Sequence, residues 1–429
     1  MLLSRWRHPS AHGKQTSGFA KGRYPELNYL RGRRSRHRWL FPLVVIFMLL
    51  AFMAVQELRS VPPLIATASV PVAAVPSQPA PALPWPSGGG AALAVKGLGI
   101  VGSHGEAVPR PIASVTKIMT AFILLQDHPV TAAEPGPRVT ITPQNVALYR
   151  SQAAEGQSVV RVVTGEQLSE YQLLQGLLLP SSNNFAALLA EWDTGSVEAF
   201  VTKMNAEAAT LGMSHTHYAD ASGNSPQSMS VPEDLIVLAE AAMANPTFAD
   251  LVSQSQATLP VAGVIHNVDT ILGENGIIGI KTGWTDEAGG CFVFAAKQRV
   301  DGIDAEIVGA VIGQPDLDAA FATAKSLIAG AQQNLHMVQF PPPDQPVASY
   351  QPPWGSSVRV VAAQSAGLLT WPGMPIQTAI FLPPLRSPAP AGTADGWLTV
   401  QTGEQQSRLP LQTAGPLHRP TFLWRLTRR

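Results

Sequence analysis

Residues Trp39 to Val55 (WLFPLVVIFMLLAFMAV) contain no charge. As a helix rising 1.5 Å per residue this run spans about 26 Å, close to the hydrocarbon thickness of a bilayer. Arg31, Arg33, Arg34, Arg36 and Arg38 precede it, so the positive-inside rule predicts a cytoplasmic tail at 1–38 and places everything beyond about residue 58 outside the cytoplasm. Ala66-Thr67-Ala68 resembles a signal-peptidase site, which is the competing reading. It lies eleven residues past the run with Glu57 and Arg59 between, which favours an uncleaved, single-pass anchor.

Of the 29 Lys and Arg residues, ten lie in residues 1–38 with a single acidic residue, Glu26, so the remainder of this net-neutral chain is mildly acidic. That balance argues against a nucleic-acid-binding body and suits a juxtamembrane tail facing anionic lipid. One cysteine excludes an internal disulfide. The 56–90 segment is rich in Pro and Ala and ends in three glycines, a composition expected of a semi-rigid spacer. A mixed globular pattern follows over 91–335. Its helix-like runs fall at 114–126, 166–192, 198–211, 232–244 and 316–335, and its strand-like runs at 91–101, 277–284, 290–297 and 304–312. A second Pro-rich boundary is expected at 336–356. Short alternating runs over 357–429 (SVRVVAA, IQTAIFL, GWLTVQT, FLWRLT) read as a small β domain.

Among the eight lysines only Lys117 has a serine three residues before it. Ser114-Val115-Thr116-Lys117 opens a run apolar nearly all round, which predicts a buried helix with Ser114 and Lys117 one turn apart on one face. A helix start offers free N–H groups and the positive end of the dipole; with burial, these depress a lysine pKa and favour a developing oxyanion. The same tetrad also fits a serine N-cap beside a snorkelling lysine. Only Lys281 is followed by Thr-Gly, at the end of a strand-like run. Lys281 and Thr282 suit a carboxylate, and Gly283 permits close backbone approach, although an exposed strand lysine before a turn would look the same. Ser181 and Asn183, in Pro180-Ser181-Ser182-Asn183-Asn184 between two helical runs, can relay a proton and hold an amide, or simply cap a helix.

Ser-x-x-Lys, Ser-x-Asn and Lys-Thr-Gly in this order resemble the signature of the penicillin-recognising serine enzymes. ASVTKIMTA, VTGEQLSEYQLLQGLLLPSSNNFAALLAE, FVTKMNAEAATLGMSHTHYADASGN and GIKTGWTDEAGGC are similar to successive blocks of the D-alanyl-D-alanine carboxypeptidases, the low-molecular-mass penicillin-binding proteins. The resemblance covers about 91–335 and, more weakly, the final 70 residues. It implies an α+β, β-lactamase/transpeptidase-like catalytic domain, a five-stranded antiparallel sheet with flanking helices and a helical lobe, followed by a small all-β domain. It also implies Ser114 as nucleophile, Lys117 as base, Ser181 and Asn183 as the second edge of the cleft, and Lys281 and Thr282 as carboxylate ligands. The backbone N–H groups of Ser114 and Trp284 would form the oxyanion hole. Three departures stand out. Ser182, Asn184 and Phe185 replace the usual Gly, Asp and Ala and are expected to crowd the triad. Trp284 replaces Tyr or His, and the family's C-terminal amphipathic anchor is missing, its place taken by the N-terminal span.

The expected activity is removal of the terminal D-Ala from peptidoglycan stem peptides ending in D-Ala-D-Ala, through an acyl-enzyme that β-lactam antibiotics also form. The alternatives are an endopeptidase or β-lactamase on the same fold, or a penicillin sensor that acylates without turnover; no Glu-x-x-Leu-Asn loop supports the lactamase. No cofactor or metal is expected: the histidines, His215 and His217 included, form no closed ligand set. Cys291, in an apolar run, is expected in the core.

Overall fold

A computed structural model describes residues 39–69, 73–74, 79–393 and 396–428; the basic segment 1–38 lies outside them. The chain divides into two compact units, one running to Ser60 and resuming at Thr421, the other Val61–Pro420.

In the smaller unit, helix α1 (Leu40–Leu58) is long and apolar enough to cross a membrane. A six-residue helix, Phe422–Thr427, lies beside its C-terminal end, where Arg425 pairs with Glu57 at 3.4 Å. The FLWRLT run, expected as a strand, is thus helical. Thr421 caps it by accepting from the Trp424 N–H at 3.3 Å, a local bond that an alternation pattern does not register.

The larger unit is built on five antiparallel strands, β1 (Gly90–Val95), β2 (Gly99–His104), β3 (Ile277–Thr285), β4 (Gly289–Val300) and β5 (Ile303–Gln314), in the order β3-β4-β5-β1-β2. Side chains alternate along each strand, and here both faces are buried, which is why the sequence shows continuous apolar runs instead of an apolar–polar alternation. On β4, Phe292, Phe294 and Ala296 enter one core while Cys291, Val293 and Ala295 enter the other. Helix α6 (Leu317–Asn334) covers the first face through Phe321, Ala324, Leu327 and Ile328, with Phe321 set edge-on to Phe292 at 5.0 Å. The second face carries the helical lobe: α2 (Lys117–Asp127), α3 (Glu170–Leu178), α4 (Asn183–Thr194) and α5 (Pro232–Met243). Every residue of α2 from Lys117 to Leu125 is buried, as its all-round apolar character predicts.

The 56–90 segment is not simply a spacer. Ala66–Ala68 pairs with Pro346–Tyr350, and Ala73–Ala74 pairs with Ile376–Phe381, so the segment supplies both edges of a seven-stranded C-terminal sheet. The segment 336–356, expected as a linker, likewise holds two strands, His336–Phe340 and Pro346–Tyr350. This β region is hydrogen-bonded to the five-stranded body: Glu404 and Gln405 donate through their backbone N–H groups to Gly97 O, between β1 and β2, at 2.9 and 3.0 Å.

Candidate active site

Ser114 sits in a 3₁₀ turn, Ala113–Thr116, that leads into α2 at Lys117. In 3₁₀ geometry residues i and i+3 eclipse, so Ser114 and Lys117 align more closely than a one-turn α spacing gives. Lys117 is fully buried, and its Nζ donates to Ser114 Oγ at 2.8 Å, Asn183 Oδ1 at 2.7 Å and Ser222 O at 2.8 Å. Burial, and next the charge of Lys281, hold the Lys117 amine well below the usual lysine range, with Asp220 opposing. Once neutral, the amine has two N–H donors and one lone pair. Of its three partners, Asn183 Oδ1 and Ser222 O only accept, so the lone pair is left for the Ser114 hydroxyl proton.

Ser181 and Asn183 occupy the turn from α3 into α4. Ser181 takes a left-handed conformation, φ 64°, and its Oγ is buried without a hydrogen-bond partner. A strained backbone holding an unpartnered hydroxyl is characteristic of sites kept for a ligand. The crowding expected from Ser182, Asn184 and Phe185 does not reach the cleft. Ser182 Oγ donates to Gly176 O at 2.6 Å, Asn184 spans the Val160 backbone in both directions at 2.9 Å, and Phe185 packs into the core over Gly176.

The third side is β3, at the sheet edge. A Cβ on Gly283 would stand 3.0 Å from both Ile112 O and Ser114 N, so only glycine lets this strand approach the serine so closely. Lys281 is buried, not exposed, and burial pushes it down to about 7 against the opposing charge of Asp269. Asp269, itself pushed up to about 6 by burial, has Oδ2 without a partner. Thr282 is buried beside Lys281, and Trp284 stands 53% exposed at the strand end.

The structure therefore gathers Ser114, Lys117 and Asn183 through direct bonds, and brings the Lys281–Trp284 strand against the Ser114 turn through Gly283. Four contributors escaped the sequence reading. Ser222 supplies a main-chain carbonyl, which side-chain identity does not reveal. Asp220 organises that carbonyl's loop, accepting from Ser222 N and Oγ, Asn224 N and Ser228 Oγ at 2.6–3.1 Å. Gln157 Oε1 accepts from Asn183 Nδ2 at 2.8 Å, fixing which way the carboxamide faces. Asp269 lies twelve residues before Lys281 in a segment tied to the cleft's other edge, Val268 N donating to Leu179 O at 3.0 Å. The Ala-Asp-Ala-Ser-Gly-Asn run was the available signal for the first two. His104, Asp286 and Glu287, near the motifs in sequence, show no bond to these groups; His104 stacks on Trp85 instead. Cys291 is core, its thiol pushed up to about 12 by burial. Among the described residues no cluster of His, Cys, Asp and Glu could hold a metal ion.

The sequence model of the D-alanyl-D-alanine carboxypeptidase family matches residues 99–315. The D-alanyl-D-alanine carboxypeptidase DacB2 of Mycobacterium tuberculosis is 35% identical over 52% of this chain and 75% of its own length. That of Streptomyces sp. K15 is 32% identical over 51% and 78%. The D-alanyl-D-alanine endopeptidase of Escherichia coli is 30% identical over 45% of this chain and 61% of its own length. In three dimensions the crystal structure of the Streptomyces K15 DD-transpeptidase superposes with a TM-score of 0.52 at 27% identity, covering 58% of this chain and 98% of that one. That of DacD from Francisella tularensis, at 21% identity and a TM-score of 0.54, shares the fold over 85% of this chain.

Proposed function

The chain belongs to the D-alanyl-D-alanine carboxypeptidase family, and from that premise we propose that Ser114 is the residue acylated in the reaction. As a serine-type D-Ala-D-Ala carboxypeptidase it cleaves the terminal amide in two steps. Neutral Lys117 accepts the Ser114 proton as Oγ attacks the carbonyl carbon, and the N–H groups of Ser114 and Trp284 receive the oxyanion. Asn183 holds the acyl amide, and Lys281 and Thr282 hold the terminal carboxylate. The proton returns to the leaving D-Ala nitrogen, by way of Ser181, and water then hydrolyses the ester on Ser114. The observation that carries this assignment is that Ser114 Oγ is the one proton-donating partner of a buried lysine amine.

A fluorescent penicillin tests it. The protein should label covalently, and Ser114→Ala should abolish labelling while retaining its fold, because the Ser114 side chain caps no helix and losing its hydrogen bond with Lys117 costs only about 1–3 kcal/mol. Persistent labelling of the alanine variant refutes the assignment. We further propose that α1 anchors the protein as a single pass with residues beyond 60 outside the cytoplasm. Cleavage after Ala68 would cut away the strand Ala66–Ala68, which is paired in the C-terminal sheet. On this reading 91–335 is the catalytic domain and 357–420 the core of the β domain, the expected 357–429 being cut short because the chain from Thr421 belongs to the smaller unit.

A further inference from the structure

Ala113, the residue before Ser114, takes φ 45°, a left-handed conformation unfavourable for any residue with a Cβ. Such a conformation persists only where the surrounding structure over-determines it. Two segments do so here. Ile112 N donates to Ser228 O at 3.1 Å, which fixes the chain entering the turn. Gly223 lies so close that an added Cβ would stand 1.7 Å from Ala113 O. One carboxylate joins the two segments. Asp220 Oδ1 accepts from Ser228 Oγ at 2.6 Å, and Oδ2 accepts from Ser222 N, Ser222 Oγ and Asn224 N at 3.1, 2.6 and 3.0 Å, the residues that flank Gly223. We infer that Asp220 is a positioning residue for acylation, a brace that holds the strained turn at Ala113 and places a negative charge beside the Ser114–Lys117 pair. The inference rests on the reading of Ser114 as the acylated residue.

The brace reaches both members of the pair. On the serine side it acts through Ser228 and Gly223. On the lysine side, the loop it closes offers Ser222 O to Lys117 Nζ at 2.8 Å and Ala221 O to Thr120 Oγ1 at 2.7 Å, so two carbonyls of one loop are fastened to α2. A small shift of this loop would therefore move the amine and the hydroxyl relative to each other, where reacting groups tolerate little misplacement. Charge adds a second effect. Among the described residues, Lys281 on β3 and Asp220 are the charges that bear on the buried Lys117 amine, the first lowering its pKa and the second raising it. The groups that donate to Asp220 are neutral hydroxyl and backbone N–H groups, which leave its charge in place. An amide of the same shape could still make the brace: its oxygen would accept the three loop bonds, and its N–H would face Ser228 Oγ, which can also accept. It would not supply the charge, so the two effects separate in experiment.

The test is stopped-flow acylation by a fluorescent penicillin as a function of pH, in the unaltered protein, Asp220→Ala and Asp220→Asn. Asp220→Ala should slow the acylation step by about tenfold or more and leave the preceding noncovalent Kd unchanged, the mark of an interaction that serves the transition state. Asp220→Asn should recover most of that rate. Neutral Lys117 is the working form, so acylation falls below the Lys117 pKa; without the anion that pKa drops, and the acid limb should lie at lower pH in Asp220→Asn than in the unaltered protein. A role in stability alone would lower Tm and leave the limb in place. Unchanged acylation by Asp220→Ala, or a limb that does not move in Asp220→Asn, overturns the brace and leaves Ser114 as the acylated residue. Should Asp220→Ala fail to fold, the limb of Asp220→Asn decides alone. An unaltered protein that the penicillin does not label overturns the reading of Ser114, and the brace with it.

Discussion

At the residue scale, two buried lysines with opposite needs set the pH behaviour of this site. In the mechanism proposed above Lys117 works neutral, and burial holds it low; Lys281 works charged there, and burial pushes it down to about 7. In the free enzyme Lys281 is therefore protonated below about pH 7 and loses its charge above it, so kcat/KM for a peptide with a free terminal carboxylate should fall on an alkaline limb near there. The same peptide amidated at its C-terminus should lack that limb. Asp269 raises the Lys281 pKa, so Asp269→Asn should move the limb to lower pH; an unmoved limb would detach Asp269 from the site. Lys281→Ala should lower kcat/KM for the carboxylate peptide by about ten- to a hundredfold more than for the amide, since a hydrogen bond to a charged group contributes about 1.5–3 kcal/mol. Equal losses on both peptides would make Lys281 structural.

At the scale of elements, glycines set how closely the parts of the site meet. Gly283 lies so near Ser114 N and Ile112 O that an added Cβ meets backbone, which cannot rotate away. Gly283→Ala should therefore slow penicillin acylation by about tenfold or more, since sub-ångström misplacement of reacting groups carries penalties of that order; stopped-flow labelling reads it directly. On α3, a Cβ at Gly176 would fall 2.3 Å from the Phe185 ring. Gly176→Ala should destabilise the fold by about 1–3 kcal/mol in urea, and Phe185→Leu should recover part of that loss. The pair explains how a phenylalanine is accommodated directly behind Asn184 without disturbing Asn183. Some elements escaped the periodicity, helices Pro143–Ala154 and Pro246–Ser253 among them. Helix Pro143–Ala154 buries no residue, so it has no apolar stripe to read; its start is fixed instead by a capping box between Thr142 and Asn145.

For the whole molecule, the Pro-rich segment ties the β region at both sheet edges. A chain starting at residue 79 should therefore melt below one starting at 61, although the catalytic motifs are identical in both, and differential scanning calorimetry of the two soluble forms checks this. Topology makes a separate demand, because the wall peptide lies outside the membrane. A reporter fused after residue 60 should be active only outside the cytoplasm and should stay in the membrane fraction. Activity confined to the cytoplasm would remove the wall substrate from consideration.

Much of this protein was legible in its sequence because the relevant signals are local. A 17-residue uncharged run, a serine one turn before a lysine, and apolar stretches long enough for strands buried on both faces each follow from chain periodicity and charge. The order of the three motifs carried the family and hence the fold. What only the tertiary structure decided involves groups distant in sequence or carried by the main chain. Ser222 acts through a carbonyl that any residue has, and it meets Lys117 across 105 residues. Gln157 and Asp269 matter through the direction a side chain takes once the chain has packed. The Ala66–Ala68 strand reads as spacer because three small residues carry no strand pattern, and its place depends on a partner, Pro346–Tyr350, that lies almost three hundred residues away. Local preference is encoded in neighbouring residues, whereas the partner that satisfies a buried donor or a strand edge exists only after the chain has folded back on itself.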